Sequence, residues 1–346
     1  MNRRVLLVFC SLASVFFPGA GILYAQQDNA GLYMTQFYKA EQSVAQKYVS
    51  YMSAASHGNG IRKANDKRND LLKTLNETVI KVNEIPSYQN DSSLRVASVD
   101  YLRIMYNVLS EDYGKIVNME EISDQSYDLM EAYMLAQQKA NEKLQEAGTA
   151  REQIAKKFAT DHHVNLVQEK GGLWEKMETI GKVNEYYNPI YLIFFKSSKQ
   201  ETYLTEAIKN KNINSIEQNK NALLKYAEEG LTALDTIKPF QADKSLVIAC
   251  RKLLEFFKME AGSKINVVTD YLIKSEEFDK MKRTVSSKSS KEEINNYNKA
   301  VGDINKSSKE YNQTIQSLNE RRAELYDSWN NAVSGFFDSH MPYSGN

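Results

Sequence analysis

The chain has 346 residues, with 44 Lys and Arg against 44 Asp and Glu. That balance excludes a dedicated binder of nucleic acid or of an acidic polymer, which would carry a basic excess. With 15 Gly and 5 Pro in the whole chain, turn formers are scarce relative to ordinary domains, and long helices are expected.

The first residues, "MNRRVLLVFCSLASVFFPGAGILYAQQDN", carry Arg3 and Arg4, an apolar run from Val5 to Phe17, then small residues up to Ala25. This is the charge, core and small-residue order of a secretory signal peptide, so residues 1–25 are expected to be removed on export, although Leu23 stands where Ala is usual. Pro18, Gly19 and Gly21 interrupt the run before it reaches the roughly 20 apolar residues of a spanning helix. No later segment approaches that length, which predicts a protein that is not integral to the membrane. With Cys10 in the leader, Cys250 is left without an intramolecular partner. It lies at an apolar position of "SLVIACRKLLEFF" and is expected to be a small core residue.

The remainder reads as helices. In chain order they are 30–56, 60–85, 92–118 and 123–161, then 173–208 (broken at Pro189), 214–237, 244–274 and 291–338. The decapeptide "IPSYQNDSSL" (85–94) joins the second helix to the third. Apolar Leu72, Leu75, Val79 and Val82 precede it, and Leu94, Ala97, Tyr101, Ile104 and Val108 follow it at helical spacing. Pro86 cannot continue the first helix. Asp91 can accept free N–H groups at the start of the next, and Tyr88 is expected to fold back over the seam.

A variant, "IKPFQADKSL", occurs at 237–246. Residues 69–97 laid on 221–249 at a constant offset of 152 give eleven identities, Asp91/Asp243 among them. The ends match too: Phe158 and His162 pair with Phe336 and His340 at an offset of 178, so the second unit holds 26 additional residues near 283–306. The Ser- and Lys-rich start of that stretch, Val285 to Lys291, reads as a solvated linker. The sequence thus predicts an all-α chain of two tandem four-helix-bundle-like repeats, 26–170 and 171–346, ending in a long coiled-coil-like helix. The seam of that helix alternates steps of 3 and 4 from Ile294 to Phe336. Ser308 and Arg322 occupy core-type positions in it and are expected to be exposed, where the helix overhangs its bundle or meets a partner.

Signatures of catalysis are missing. There is no C-x-x-C-H, H-E-x-x-H, G-x-S-x-G or glycine-rich phosphate motif, and no Glu lies three residues before His57, His162, His163 or His340 as a di-iron bundle requires. No catalytic or metal-binding residue is therefore nominated, and no cofactor is expected. The alternative is a b-type haem or metal site at a bundle pole, pairing Met34 with His162 or His163, and Met177 with His340. The cluster "GIRKANDKRND" (60–70) mixes both signs and reads as a solvated helix face. The aromatic stretch 184–204, with Tyr186, Tyr187, Tyr191, Phe194, Phe195 and Tyr203 around Pro189, is expected to be mainly core; an exposed part would form a partner platform.

Two stretches, "YMSAASHGNGIRKANDKRND" (51–70) and "NPIYLIFFKSSKQETYLTEAI" (188–208), resemble an uncharacterised family of exported helical bacterial surface proteins. The family has no assigned catalytic residues, and the resemblance implies location and fold class only. The expected function is a non-enzymatic binding, scaffolding or interaction module of the periplasm or cell surface, with an envelope protein or a glycan as partner.

Overall fold

The computed structural model describes residues 22–24, 29–57, 61–112, 127–168, 172–286 and 289–344. The fold is all-α. Its helices are α1 (Asn29–Ser56), α2 (Ile61–Asn83), α3 (Ser93–Asn107), α4 (Tyr127–Asp161), α5 (Gly172–Lys209), α6 (Ile213–Asp235), α7 (Ser245–Met259), α8 (Ile265–Thr284) and the long α9 (Lys291–His340). Two strands, β1 (Ile22–Tyr24) and β2 (Leu166–Gln168), form a short antiparallel pair. Strand β1 lies ahead of the expected cleavage point at Ala25. Among the described residues, no helix is long and apolar enough to cross a membrane.

The chain divides into two compact units, Met1–Pro189 with Val333–Asn346, and Ile190–Ala332. The predicted division at 170/171 follows the sequence repeat, whereas the folded units follow side-chain packing. Trp174 of α5 donates its indole N–H to the Tyr38 hydroxyl of α1, and Tyr186 and Tyr187 pack on Phe336 and Phe337. The start of α5 and the end of α9 therefore belong with the first unit.

In the first unit α1 packs on α2, α2 on α3 and α3 on α4, the neighbour order of an up-and-down bundle. The turn from α2 to α3 is built as the sequence suggests. Tyr88 and Asp91 close a β-bridge around Gln89 and Asn90, both at positive φ, and the Asp91 carboxylate accepts the Ser93 N–H at 2.8 Å. The Tyr88 ring folds back onto Tyr33, Phe158 and His162.

The second unit reproduces this turn at an offset of 152. Phe240 and Asp243 bridge, Gln241 and Ala242 have positive φ, and Asp243 accepts from the Ser245 N–H at 2.7 Å. The flanking helices match in length, 23 residues for α2 and α6 and 15 for α3 and α7. A five-residue π-helical turn follows each of the latter, Val108–Asp112 and Glu260–Lys264. Helices α4 and α5 also close alike, with His163 and Lys211 in the left-handed region. Val164 N–H bonds back to Ala159 C=O and Asn212 N–H to Ala207 C=O, which satisfies carbonyls of the last turn.

Helix α8 extends the predicted third helix of this unit ten residues past 274. With the start of α9 it forms an antiparallel hairpin, pinned by stacking of Tyr271 on Tyr311 and of Phe278 on Tyr297. A capping box starts α9: Glu293 Oε2 accepts the Ser290 N–H, and Ser290 Oγ accepts the Glu293 N–H. Its seam is exposed at Ile294, half-buried from Tyr297 to Ile315, and fully buried at Leu318, Arg322, Leu325, Trp329 and Phe336. In the predicted linker, residues 287–288 lie outside the described set.

Two expectations are corrected. Pro189 does not break α5, which continues through it. Pro189 and Glu185 are both exposed, so the Glu185 carbonyl that loses its partner faces water. On α2 the buried stripe is Leu71, Leu75, Thr78 and Val82, while Leu72 and Val79 are only half-buried. The helix is turned by about one residue because Thr78, a polar residue omitted from an apolar count, belongs to the core face.

Candidate functional site

Each unit buries a charged layer among apolar side chains. In the first, Arg151 of α4 reaches Glu41 of α1 at 2.9 Å and donates its Nε–H to the Ser98 hydroxyl of α3 at 3.3 Å. Burial raises the Glu41 carboxyl, and Arg151 and Ser98 only partly offset that rise. Burial, reinforced by the Glu41 charge, likewise pushes the neighbouring Tyr101 phenol up.

In the second unit Arg322 of α9, expected to be exposed, is 6% exposed. Its Nε lies 2.5 Å from Glu201 Oε1 of α5, its Nη2 donates to Glu260 on the π-helical turn, and its Nη1 donates to Asn319 at 2.6 Å. Both carboxylates are 0% exposed. The guanidinium also lies over the Phe256 ring, 5.8 Å from its centroid. Burial works against the Arg322 charge, but Glu201 and Glu260 outweigh it and raise the value. Ser308 is half-buried rather than overhanging, and its neighbour Ser307 accepts from Lys274 of α8.

An open groove of about 380 Å³ borders this layer. Its apolar surface is Phe256, Met259, Val267 and Leu318, and Lys264, Glu310 and Arg321 add charge around it. Met259 and Lys264 flank Glu260 on the π-helical turn, and Arg321 adjoins Arg322. Such a surface suits an apolar side chain presented on a polar backbone, with methionine adapting to its shape.

The bundle pole considered for haem is occupied by protein contacts. His162 Nε2 lies 3.3 Å from Asp91 Oδ2, and its ring packs on Phe158 and edge-on to Tyr88. Burial would raise the Asp91 carboxyl, yet hydrogen bonds from Ser93 and His162 leave it below the ordinary value. His163 is the left-handed residue ending α4. Met34 and Met177 are buried, and His340 packs on Phe336 as His162 packs on Phe158. Among the described residues, no group of three or more His, Cys, Asp or Glu is arranged to hold a metal.

Tyr187, Tyr191, Phe194 and Phe195 are core, and Tyr186 and Tyr203 are half-buried. Phe194 stacks on Trp329 at 4.4 Å. Cys250 is fully buried, which pushes its thiol far up and leaves it a packing residue. In the basic cluster Arg68 is more than a solvated face, since it donates to the Leu109 and Ser110 carbonyls at the π-helical turn.

Sequence reasoning missed both charged layers. The signal was present: Glu41 lies on the stripe Phe37, Val44, Tyr48, Arg151 on Leu144, Ala155, Phe158, and Glu201 on Phe194, Ser197, Leu204. A charge at an apolar-stripe position marks a buried partner elsewhere.

Comparison with protein-family models, curated proteins and solved structures finds no match to this chain.

Proposed function

We propose that this is an exported protein of the cell envelope, built from a duplicated helical unit, that acts as a non-enzymatic binding or scaffolding module. The observation that carries the reading is the groove beside the π-helical turn of the second unit, where Phe256, Met259, Val267 and Leu318 form an apolar surface edged by charges of both signs. Gln313, Thr314 and Ser317 add hydrogen-bonding groups beside the apolar residues, so the groove suits a segment of a partner protein that presents an apolar side chain with polar groups next to it. The leader-like residues 1–25 and the resemblance to exported surface proteins support the location.

The test places a photo-reactive residue at Gln313 in the groove and, as a control, at exposed Glu77 on α2, in cells of the source organism. The expected result is a discrete adduct with an envelope protein from Gln313 alone, lost when Met259→Lys is added, on a chain beginning at Gln26. Equal labelling from both positions, or an adduct indifferent to Met259→Lys, would overturn the groove reading. The alternative, a haem or metal pole at Met34 and His162, makes a different prediction. A Soret band or bound metal in the purified protein, lost in His162→Ala, would replace the binding-module reading.

A further inference from the structure

We propose that the π-helical turn of the second unit, Glu260–Lys264, is a hinge that carries the edge of the groove, whereas its counterpart in the first unit, Val108–Asp112, is locked. That the hinge serves binding rests on the groove reading above; the hinge itself does not.

The two turns occupy the same place in the repeat and are held differently. In the first unit Arg68 of α2 clamps the middle of the turn. Its guanidinium donates to the Leu109 carbonyl, at 3.3 Å from Nε and 3.1 Å from Nη2, and to the Ser110 carbonyl at 3.2 Å. A planar fork set on successive backbone carbonyls resists any rearrangement of the backbone that carries them. At the offset of 152 the same three positions are Lys220, Ala261 and Gly262. Lys220 turns elsewhere, to Glu217 of its own helix at 2.7 Å and to the Asn266 side chain at 3.1 Å. Among the described residues, no side chain donates to the Ala261 or Gly262 carbonyl.

The second turn is therefore tied at its ends and not in its middle. Glu260, its first residue, accepts from Arg322 of α9, and Asn266, just past its last, accepts from Lys220. Between these ties the backbone is loosened. The Ile265 N–H bonds to the Glu260 carbonyl five residues back, and the Ser263 hydroxyl bonds to the Met259 carbonyl at 2.8 Å, a contact that bends helices. Gly262 stands where the first unit has Ser110. Space does not demand a glycine there, since an added Cβ would meet nothing nearer than Leu224 Cδ1 at 3.9 Å; what the glycine adds is backbone freedom.

Turns of this kind inside α-helices recur at functional sites. Here Met259, immediately before the turn, and Lys264, its last residue, line the groove. Phe256 and Leu318 on the same groove are buried and fixed. Opening of the turn thus moves one edge of the groove over a floor that stays packed.

The test is amide hydrogen exchange in the intact purified protein without a partner, read by NMR. Amides of residues 262–265 should exchange through local opening, at rates insensitive to low denaturant, while those of 253–257 in α7 exchange only with unfolding. Gly262→Ala should slow the 262–265 amides about fivefold, the ratio set by the helix preference of alanine over glycine. Lys220→Arg, which restores the first unit's clamping residue, should slow them too. Amides at 262–265 that exchange only with unfolding would overturn the hinge, as would exchange there that neither variant slows. Arg68→Lys should speed exchange at 110–112, and unchanged exchange there would overturn the lock. A Gln313 adduct of unchanged yield in a Gly262→Ala chain whose turn has slowed would overturn the link to the groove and leave the hinge standing.

Discussion

The two charged layers lie at different depths in corresponding helices. Carried across by offsets of 152 for the first three helices and 178 for the last, Glu41, Ser98 and Arg151 fall on Ile193, Cys250 and Trp329, an apolar set. In return, Glu201, Glu260 and Arg322 fall on Val49, Val108 and Leu144, which are buried in the first unit. The shift is seven to ten residues along each helix, about two or three turns. Where one unit is ionic, the other is greasy. The two units share the turn geometry that sets the path of the chain and differ in the level at which polarity enters the core. Buried ion pairs add little net stability but are expensive to break from one side, so the exchanged levels make each unit's helix set poorly interchangeable with the other's.

The largest effect should come from removing one arginine. Arg322→Met strands two carboxylates and Arg151→Met strands one. Both should lose about 3–5 kcal/mol in denaturant unfolding, with Arg322→Met the worse; equal losses would erase the distinction between the layers. A smaller loss, about 1–3 kcal/mol from overpacking, is expected for Gly230→Ala. The new methyl carbon would lie 2.9 Å from both Ile193 Cγ2 and Leu254 Cδ1, and the matching position in the first unit, Thr78, already accommodates a side chain.

Next is the turn aspartate. Asp91→Asn keeps an acceptor for the Ser93 N–H but removes the carboxylate charge at the start of α3 and beside His162, and should cost about 0.3–1 kcal/mol at neutral pH. Since the folded Asp91 carboxyl is depressed, its contribution is present above the unfolded-state value of about 3.9 and is lost as the pH falls through the lower folded-state value. The Asp91→Asn deficit should therefore close in acid. The smallest change should follow replacement of a whole pair: Glu41→Leu with Arg151→Met removes both charges and should unfold near the wild-type midpoint or above it.

Much of the fold was legible because local chemistry specified it. Pro86, Asp91 and the apolar rhythm around them placed a turn, and the duplicate at 237–246 placed the same turn again. Arg322 was misread because a heptad position reports that a side chain points inward but not what waits there. Its partner Glu260 is 62 residues away, and no spacing rule links them. The paired π-helical turns left no sequence mark, since a single extra residue per turn needs no special side chain. Pro189 misled because a proline ends a helix only where the orphaned carbonyl has nowhere to turn, and exposure of α5 there supplies water.

The second turn carries a further consequence. Asn90 occupies a left-handed backbone position that asparagine tolerates, and Ala242 occupies the same position at φ 72° with no such tolerance. The shape of this loop recurs without the residue that suits it, held in place by the helices on either side. For an engineer it is a readily recovered gain: Ala242→Asn restores the residue found in the first copy, and the improvement it brings would measure how firmly the surrounding helices impose a conformation that the loop's own chemistry does not choose.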